Sequence, residues 1–342
     1  MDRVKIIVDA MGGDNAPRSV VEGAVLGAKE YGTDLVFTGD ENAIRGILRG
    51  LDTDGIGIEV VPAASVVTME DSPAVVQKEK KDSSMVVGCE LLREGRGDAF
   101  ISSGNTGALF TAATLYVKRH KGVRRAALGA IVNCGKPFMI VDSGANTDVT
   151  PEILVKFAFM GSLYFSELMG VKEPRVALIN NGSEECKGTE IYREAYTLLK
   201  NSSLNFVGNC EGRDLPNGFC DVAVCDGFTG NVTLKLMEGM GQFFLGSLKD
   251  IYGKNIKNKL AYLLVSRDFR AFKGRIDHKQ YGGAPFLGIA KPVIKSHGSA
   301  EETSIKATVR QARDYVLSGL NEKIAEGMAE DTKTASENIR NE

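Results

Sequence analysis

Short β-branched apolar runs alternate with amphipathic stretches along most of this chain. The run VKIIVDA (4–10) ends just before Gly12 and Gly13, and predicts a strand buried on both faces. A helix is expected next, with Asp14 or Asn15 near its cap and Pro17 in its first turn. DLVFTGD (34–40), GIEVVPA (57–63) and DAFISSG (98–104) predict further strands with helices between them. ALGAIVN (127–133) and FMIVDSG (138–144) predict a hairpin or two adjacent strands. RVALINNG (175–182), NFVGN (205–209), DVAVCDG (221–227) and VIKSHG (293–298) continue the pattern. Such alternation predicts a three-layer α/β fold with a mostly parallel sheet. No Pro/Ser-rich linker divides the chain, so residues 1–326 read as one α/β unit with room for two lobes around a cleft. Residues 327–342 read as a polar, frayed tail.

Composition narrows the function classes. Lys plus Arg is 42 against 44 Asp plus Glu, a net charge of −2, which excludes a generally basic nucleic-acid coat. Trp is absent, so an aromatic platform for single strands is not expected either. The six cysteines contain no CxxC pair and suit a reducing compartment, while three histidines far apart in sequence give no metal-ligand spacing. The N-terminus lacks a signal-peptide pattern, and the uncharged run Ala99–Val117 is interrupted by SSGNTG, so a soluble, cytoplasmic protein is expected.

Glycine is abundant, 39 residues, and concentrates where strands end. The segments are DAMGGDNAP (9–17), SSGNTGAL (102–109), VDSGAN (141–146), NNGSEECKG (180–188) and DGFTGN (226–231). Ligands of open α/β sheets bind at the carboxyl ends of strands, where glycines bring backbone N–H groups near an anion. Each loop alone is equally an ordinary βα turn; five of them predict a phosphate-handling site. GxxxxGK[ST], GxGxxG after the first strand, and GxSxG are all absent. The chemistry therefore reads as positioning of phosphate, without nucleotide hydrolysis or a serine nucleophile.

The same segments carry a family resemblance. VDAMGGDNAP, GNTGAL, GAN, NNGSEECKG, DVAVCDGFTGN, YGGAPFLG and HGSA resemble, in order and over about residues 4–320, the PlsX family of acyl-carrier-protein:phosphate acyltransferases. Ser103 and Ser143 depart from that pattern by small-for-small exchange. The resemblance implies transfer of a fatty acyl group from acyl carrier protein to inorganic phosphate, giving acyl phosphate for phospholipid synthesis, with no cofactor. It further implies a fold like the isocitrate and isopropylmalate dehydrogenases and phosphotransacetylase. A homodimer is implied, held peripherally at the inner face of the membrane near a membrane glycerol-3-phosphate acyltransferase.

Phosphate is already a nucleophile near neutral pH, so its positioning and the stabilisation of a tetrahedral oxyanion are the main demands. Lys187 is the expected cation for phosphate or oxyanion, against the alternative of a solvated loop lysine. Asn231 is expected to orient phosphate, to cap a helix, or both. His297 is expected to protonate the departing thiolate or contact an anion, with a structural histidine as the alternative. Gly12, Gly13, Asn15, Asn105, Thr106, Gly107, Asn146 and Gly230 are the expected phosphate or substrate contacts. Asp9, Asp14, Asp142 and Asp226 are expected to cap helices or orient neighbours rather than face phosphate.

Residues 254–275 stand apart, with seven basic residues against Asp268 alone. Ile256, Leu260, Leu263 and Leu264 form one helical stripe; Val265, Phe269 and Phe272 form another on the opposite face. A bent, basic amphipathic hairpin is predicted, its tip (Leu260, Leu263, Leu264, Val265, Arg267, Phe269) meeting an anionic membrane, acyl carrier protein or a second subunit. Two other functions compete: a dehydrogenase-like oxidoreductase of the same fold, and a scaffold docking carrier protein at the membrane.

Overall fold

The computed structural model describes residues 3–276 and 281–329. In chain order its elements are β1 (Lys5–Asp9), α1 (Arg18–Tyr31), β2 (Asp34–Gly39), α2 (Glu41–Leu48), β3 (Ile58–Pro62), α3 (Ser84–Arg93), β4 (Ala99–Ser102), α4 (Thr106–Ala112) and β5 (Ala127–Asn133). They continue with β6 (Pro137–Val141), α5 (Pro151–Met169), β7 (Val176–Ile179), α6 (Glu190–Lys200), β8 (Phe206–Cys210), β9 (Val222–Val224), α7 (Gly227–Gly253), α8 (Ile256–Ile276), β10 (Ala284–Leu287), β11 (Val293–Lys295) and α9 (Glu302–Leu317). The described residues fall into two compact units. The first lies within Met1–Gly129, Phe159–Glu173 and Lys279–Glu342, the second within Ala130–Ala158 and Pro174–His278.

In the first unit the strand order is β3-β2-β1-β4-β11-β10, ending on β5. The pairings β2–β3, β1–β2, β1–β4 and β4–β11 are parallel, while β10 is antiparallel to both neighbours. Ile6, Ile7 and Val8 are fully buried on both faces of β1, which is why that strand reads as an unbroken apolar run. Ile6 and Val8 pack with Val21, Phe37, Ile305 and Val309 in one core. Helix α1 lies directly on α9 because Gly23 and Gly27, one turn apart, present no side chain there. A methyl at Gly23 would meet Glu302 O at 2.5 Å, and one at Gly27 would meet Val309 Cβ at 2.8 Å. Since α1 follows the 10–17 loop and α9 follows the 297–300 loop, this close packing fixes the two loops against each other.

In the second unit the order is β6-β9-β7-β8, all parallel. Its core joins Phe138 and Ile140 to Ala177, Ile179, Leu215 and Ala223. Within this unit residues 130–133 of β5 lie beside β6, so the two runs are adjacent strands.

Four expectations need correction. Pro17 itself occupies the N-cap position of α1, which has no side-chain cap; Asn15 donates instead to Ala300 O at 3.2 Å. Strand β10 was not predicted, because Pro285 within it disguises the run. The tail does not begin at Gly327: a methyl there would lie 2.3 Å from the Phe159 ring, and Met328 is fully buried at the end of a helical stretch. The rest of that tail, 330–342, lies outside the described residues. Finally, 254–275 holds no internal hairpin. It is the single helix α8, which pairs with α7 to make the hairpin. Of the second stripe, Phe269 stacks edge-on at Tyr252 of α7 while Val265 and Phe272 are exposed; Ile256, Leu260 and Leu264 of the first are exposed too, Leu264 to 87%.

Candidate active site

The strand-end loops gather into two groups, one in each unit. In the first unit, DAMGGDNAP, SSGNTG and KSHGSA meet beyond the carboxyl ends of β1, β4 and β11. Asp9 is buried and receives Ser102 Oγ at 2.6 Å on Oδ2 and Met11 N at 3.2 Å on Oδ1. Gly104 N in turn donates to Ser102 Oγ at 3.1 Å. Burial raises the Asp9 carboxyl above its ordinary pKa, against the opposing pull of the Ser102, Ser84 and backbone hydrogen bonds. Gly12 is required by this crowding: a methyl would sit 2.6 Å from Asp9 Oδ2 and 2.7 Å from Gly104 N. Gly13 adopts φ +102° beneath Gly298, and Asp14 N donates to Gly298 O at 2.8 Å.

Asn105 caps α4 by accepting from Ala108 N at 3.0 Å, and its amide donates to Met69 O and Asp71 O, each at 3.0 Å. Both ends of that side chain are thus engaged in holding the 68–71 loop on the helix. Gly107 makes room for Pro73, whose Cγ would stand 2.8 Å from an added methyl. The Thr106 hydroxyl makes no hydrogen bond among the described residues. His297 is exposed, and its Nδ1 accepts from Ser299 N at 3.3 Å with Ser299 Oγ at 2.9 Å. Acceptance at Nδ1 leaves the proton of the neutral ring on Nε2.

Sequence reasoning missed Lys295 in this unit. Its ammonium is buried, donating to Ser103 O at 3.1 Å and to Ser296 O, and so ties the loop after β4 to the end of β11. The Ser103 hydroxyl beside it is buried without a partner among the described residues. The signal available was a lysine closing an apolar strand, a position that burial makes costly without nearby acceptors.

The second unit brings together VDSGAN, NNGSEECKG and DGFTGN. Asp142, wholly buried, collects N–H groups of Gly144 (3.2 Å), Ala145 (3.1 Å) and Asn146 (2.6 Å), and the Asn146 amide at 2.8 Å. Helix α7 lies on this loop through Gly227 and Gly230, spaced one turn apart. Methyls there would meet Asn146 N at 2.8 Å and Asp142 O at 1.9 Å. Asp226 caps α7, accepting from Thr229 N at 2.9 Å and Thr229 Oγ1 at 2.7 Å. Tyr192, also missed from sequence, clamps that cap by donating its hydroxyl to Asp226 Oδ2 at 2.6 Å and accepting Asp226 N at 3.0 Å. Partial burial acts to raise the Asp226 pKa, but the Tyr192 and Thr229 bonds outweigh it and hold the carboxyl below the usual value. Burial, reinforced by the charge near Cys225 and the bond to Asp226, pushes the Tyr192 phenol up.

Of the expected phosphate contacts in this unit, Asn146 N is engaged by the Asp142 carboxylate and Gly230 N by the Asp226 carbonyl. Uncommitted charge resides in side chains. Lys187 is 45% exposed, with its Nζ only 4.0 Å from Glu184 Oε1, and Gly182 leaves space for its stem. Its loop is pinned at both ends, by Asn180 Nδ2 donating to Lys187 O at 3.2 Å and by Asn209 Nδ2 donating to Glu184 O at 2.8 Å. Asn231 is exposed on the second turn of α7, and its amide donates to Ser143 O at 3.3 Å. Among the thiols, Cys186 is exposed beside Lys187, whereas Cys225 is buried and its pKa is pushed up by that burial. No helix among the described residues is long and apolar enough to cross a membrane.

Comparison with known proteins follows the same motifs. The family model described as fatty acid synthesis protein matches residues 4–323. A phosphate acyltransferase of Alkaliphilus oremlandii is 43% identical over 327 residues, 95% of this chain and 98% of the relative. A phosphate acyltransferase of Acetivibrio thermocellus is 45% identical over 322 residues, 93% of this chain and 95% of the relative. Among solved structures, a phosphotransacetylase from Streptococcus pyogenes shares the fold, with TM-score 0.62 and 16% identity over 92% of this chain and 94% of that one.

Proposed function

The chain belongs to the fatty acid synthesis protein family and is an acyltransferase, and we propose that it moves a fatty acyl group from an acyl carrier protein thioester to inorganic phosphate. The observation that carries this reading is identity above 40% along nearly the whole chain with proteins named phosphate acyltransferase. A phosphate oxygen attacks the thioester carbonyl; the C–O bond forms, the tetrahedral oxyanion collapses, and the C–S bond breaks to release acyl phosphate and the carrier thiolate. Lys187, exposed and loosely paired, supplies positive charge to phosphate or oxyanion, and Asn231 orients phosphate through its amide. His297, as the imidazolium, delivers its Nε2 proton to the thiolate and returns to the neutral ring whose Nδ1 accepts from Ser299. Thr106 supplies a hydroxyl contact. Gly12, Gly13, Asn15, Asn105, Gly107, Asn146 and Gly230 serve by building the loops that hold these groups, a supporting role consistent with their internal bonds.

The same proposal includes a homodimer in the cytoplasm, held reversibly at the inner face of the membrane beside a glycerol-3-phosphate acyltransferase that consumes the product. The exposed ridge of Ile256, Leu260 and Leu264, with Val265, Arg267 and Lys257 nearby, supports membrane contact. Incubation with acyl carrier protein thioester should release thiol in step with acyl phosphate, only when phosphate is present and without nucleotide or nicotinamide. Phosphate-independent thiol release, or turnover requiring a nicotinamide, overturns the reading.

A further inference from the structure

We propose that the closed end of the α7–α8 hairpin is a binding cavity for a single-chain amphiphile with an anionic head group, the chemical class of a fatty acyl phosphate. Naming that natural ligand rests on the acyl-transfer reading above; the cavity itself rests on geometry. Close to the turn at residues 254–255, the two helices line an open cleft of about 720 Å³, within the range of small-molecule sites. Three rings form an apolar wall. Tyr252 and Tyr262 have centroids 5.3 Å apart, and Phe269 stands 6.3 Å and 5.8 Å from them. Opposite chemistry comes from Lys249 and Lys259, which also line the space. Neither makes an ion pair among the described residues, and each sits about one helical turn from the bend, one on each helix.

Gly246 and Gly253 explain the opening. They lie on the same face of α7 as Lys249, and a methyl on either would meet nothing within 4 Å. Glycine inside a helix is unfavourable relative to alanine, and no contact among the described residues requires it at these two places. What the two absent side chains leave is room beside aromatic walls, with two unpaired cations at hand. An alkyl chain suits the walls, and phosphate or carboxylate suits the lysines. The tyrosine hydroxyls at 252 and 262, which make no hydrogen bond among the described residues, add donors for the head group.

The chain contains no tryptophan, so Tyr262→Trp places one reporter in the cavity of the full-length protein. Titration with a long-chain alkylphosphonate below its micelle concentration should give a saturable blue shift. The same chain carrying a quaternary ammonium head should bind at least tenfold more weakly, and a short-chain phosphonate should give no shift. Adding Lys249→Ala and Lys259→Ala should weaken the phosphonate at least tenfold while leaving the ammonium compound unchanged. Gly246→Leu, which fills the space while favouring the helix, should abolish the shift with circular dichroism retained.

Equal affinity for both head groups, or no saturable shift, overturns the proposal. So does a shift that appears only with vesicles of anionic lipid, or one that tracks self-association in sedimentation velocity; these assign the face to a bilayer or to a second copy. The two readings fail separately. A bound alkylphosphonate without thiol release would leave the cavity standing and remove acyl transfer; thiol release with a silent reporter would do the reverse.

Discussion

Replacing Gly230 by alanine adds one methyl group at the tightest place in the second unit. The new Cβ would stand 1.9 Å from the carbonyl oxygen of Asp142, where ordinary contact begins near 3.4 Å, so the start of α7 must move by about 1.5 Å. The obstacle is backbone, which has no rotamer to change. Overpacking of this kind costs typically about 1–3 kcal/mol, and a backbone obstacle puts the cost at the upper end. Alanine's helix propensity returns about 1 kcal/mol, leaving a net loss of roughly 2 kcal/mol. Gly239 is a control in the same helix: nothing lies within 4 Å of its added methyl, so Gly239→Ala should stabilise by about 1 kcal/mol. In thermal melts the first variant should fall by roughly 4–8 °C while the control rises by a few degrees. Turnover should separate them too, because displacing Asn231 by an ångström can cost on the order of 10² in rate. If Gly230→Ala melts and turns over like Gly239→Ala, the close seating of α7 on the 142–146 loop is wrong.

Lys187→Ala should lower turnover by about 10²–10³ with an unchanged melting temperature, and Lys187→Arg should recover part of it; wild-type kinetics in Lys187→Ala would remove that residue from the chemistry. Asp226 has a folded-state pKa below its unfolded value near 3.8, so its contribution is present above that pH and is lost as pH falls through the folded value. Tyr192→Phe removes the largest of the hydrogen bonds lowering that pKa, and should move acid unfolding to higher pH; an unmoved acid limb in parallel pH melts contradicts the clamp. Leu260→Glu with Leu264→Glu removes two exposed apolar side chains worth about 1–2 kcal/mol each at a bilayer, so sedimentation with anionic vesicles should weaken by on the order of a hundredfold. Unchanged vesicle binding with a dissociated dimer assigns that ridge to the oligomer instead.

Much of the fold was legible because period and burial agree. Ile6, Ile7 and Val8 are apolar in succession because both faces of β1 are covered. The pattern failed at β10, where Pro285 breaks the strand signal, and at α8, where two opposed stripes suggested a bend. Neither stripe needed one, since Phe269 turns to α7 while both stripes keep exposed members, Leu260 and Leu264 on one and Val265 and Phe272 on the other. For the site, strand-end glycines marked the right loops, but not what those glycines do. Gly12, Gly227 and Gly230 make way for the protein's own atoms, and Asp142 consumes N–H groups that composition alone would assign to a ligand. Lys295 was hidden for a related reason: its partners are carbonyls of loops remote in sequence, which no local motif announces.

The transfer itself is tested most directly with phosphate carrying heavy oxygen in ordinary water. Purified protein is mixed with acyl carrier protein thioester and labelled phosphate, and the product is identified by mass spectrometry as thiol release is followed. Acyl phosphate bearing the full label, formed one for one with carrier thiol, is the predicted result. Unlabelled fatty acid formed at the same rate as thiol would mean that water is the acceptor, and would contradict acyl transfer to phosphate.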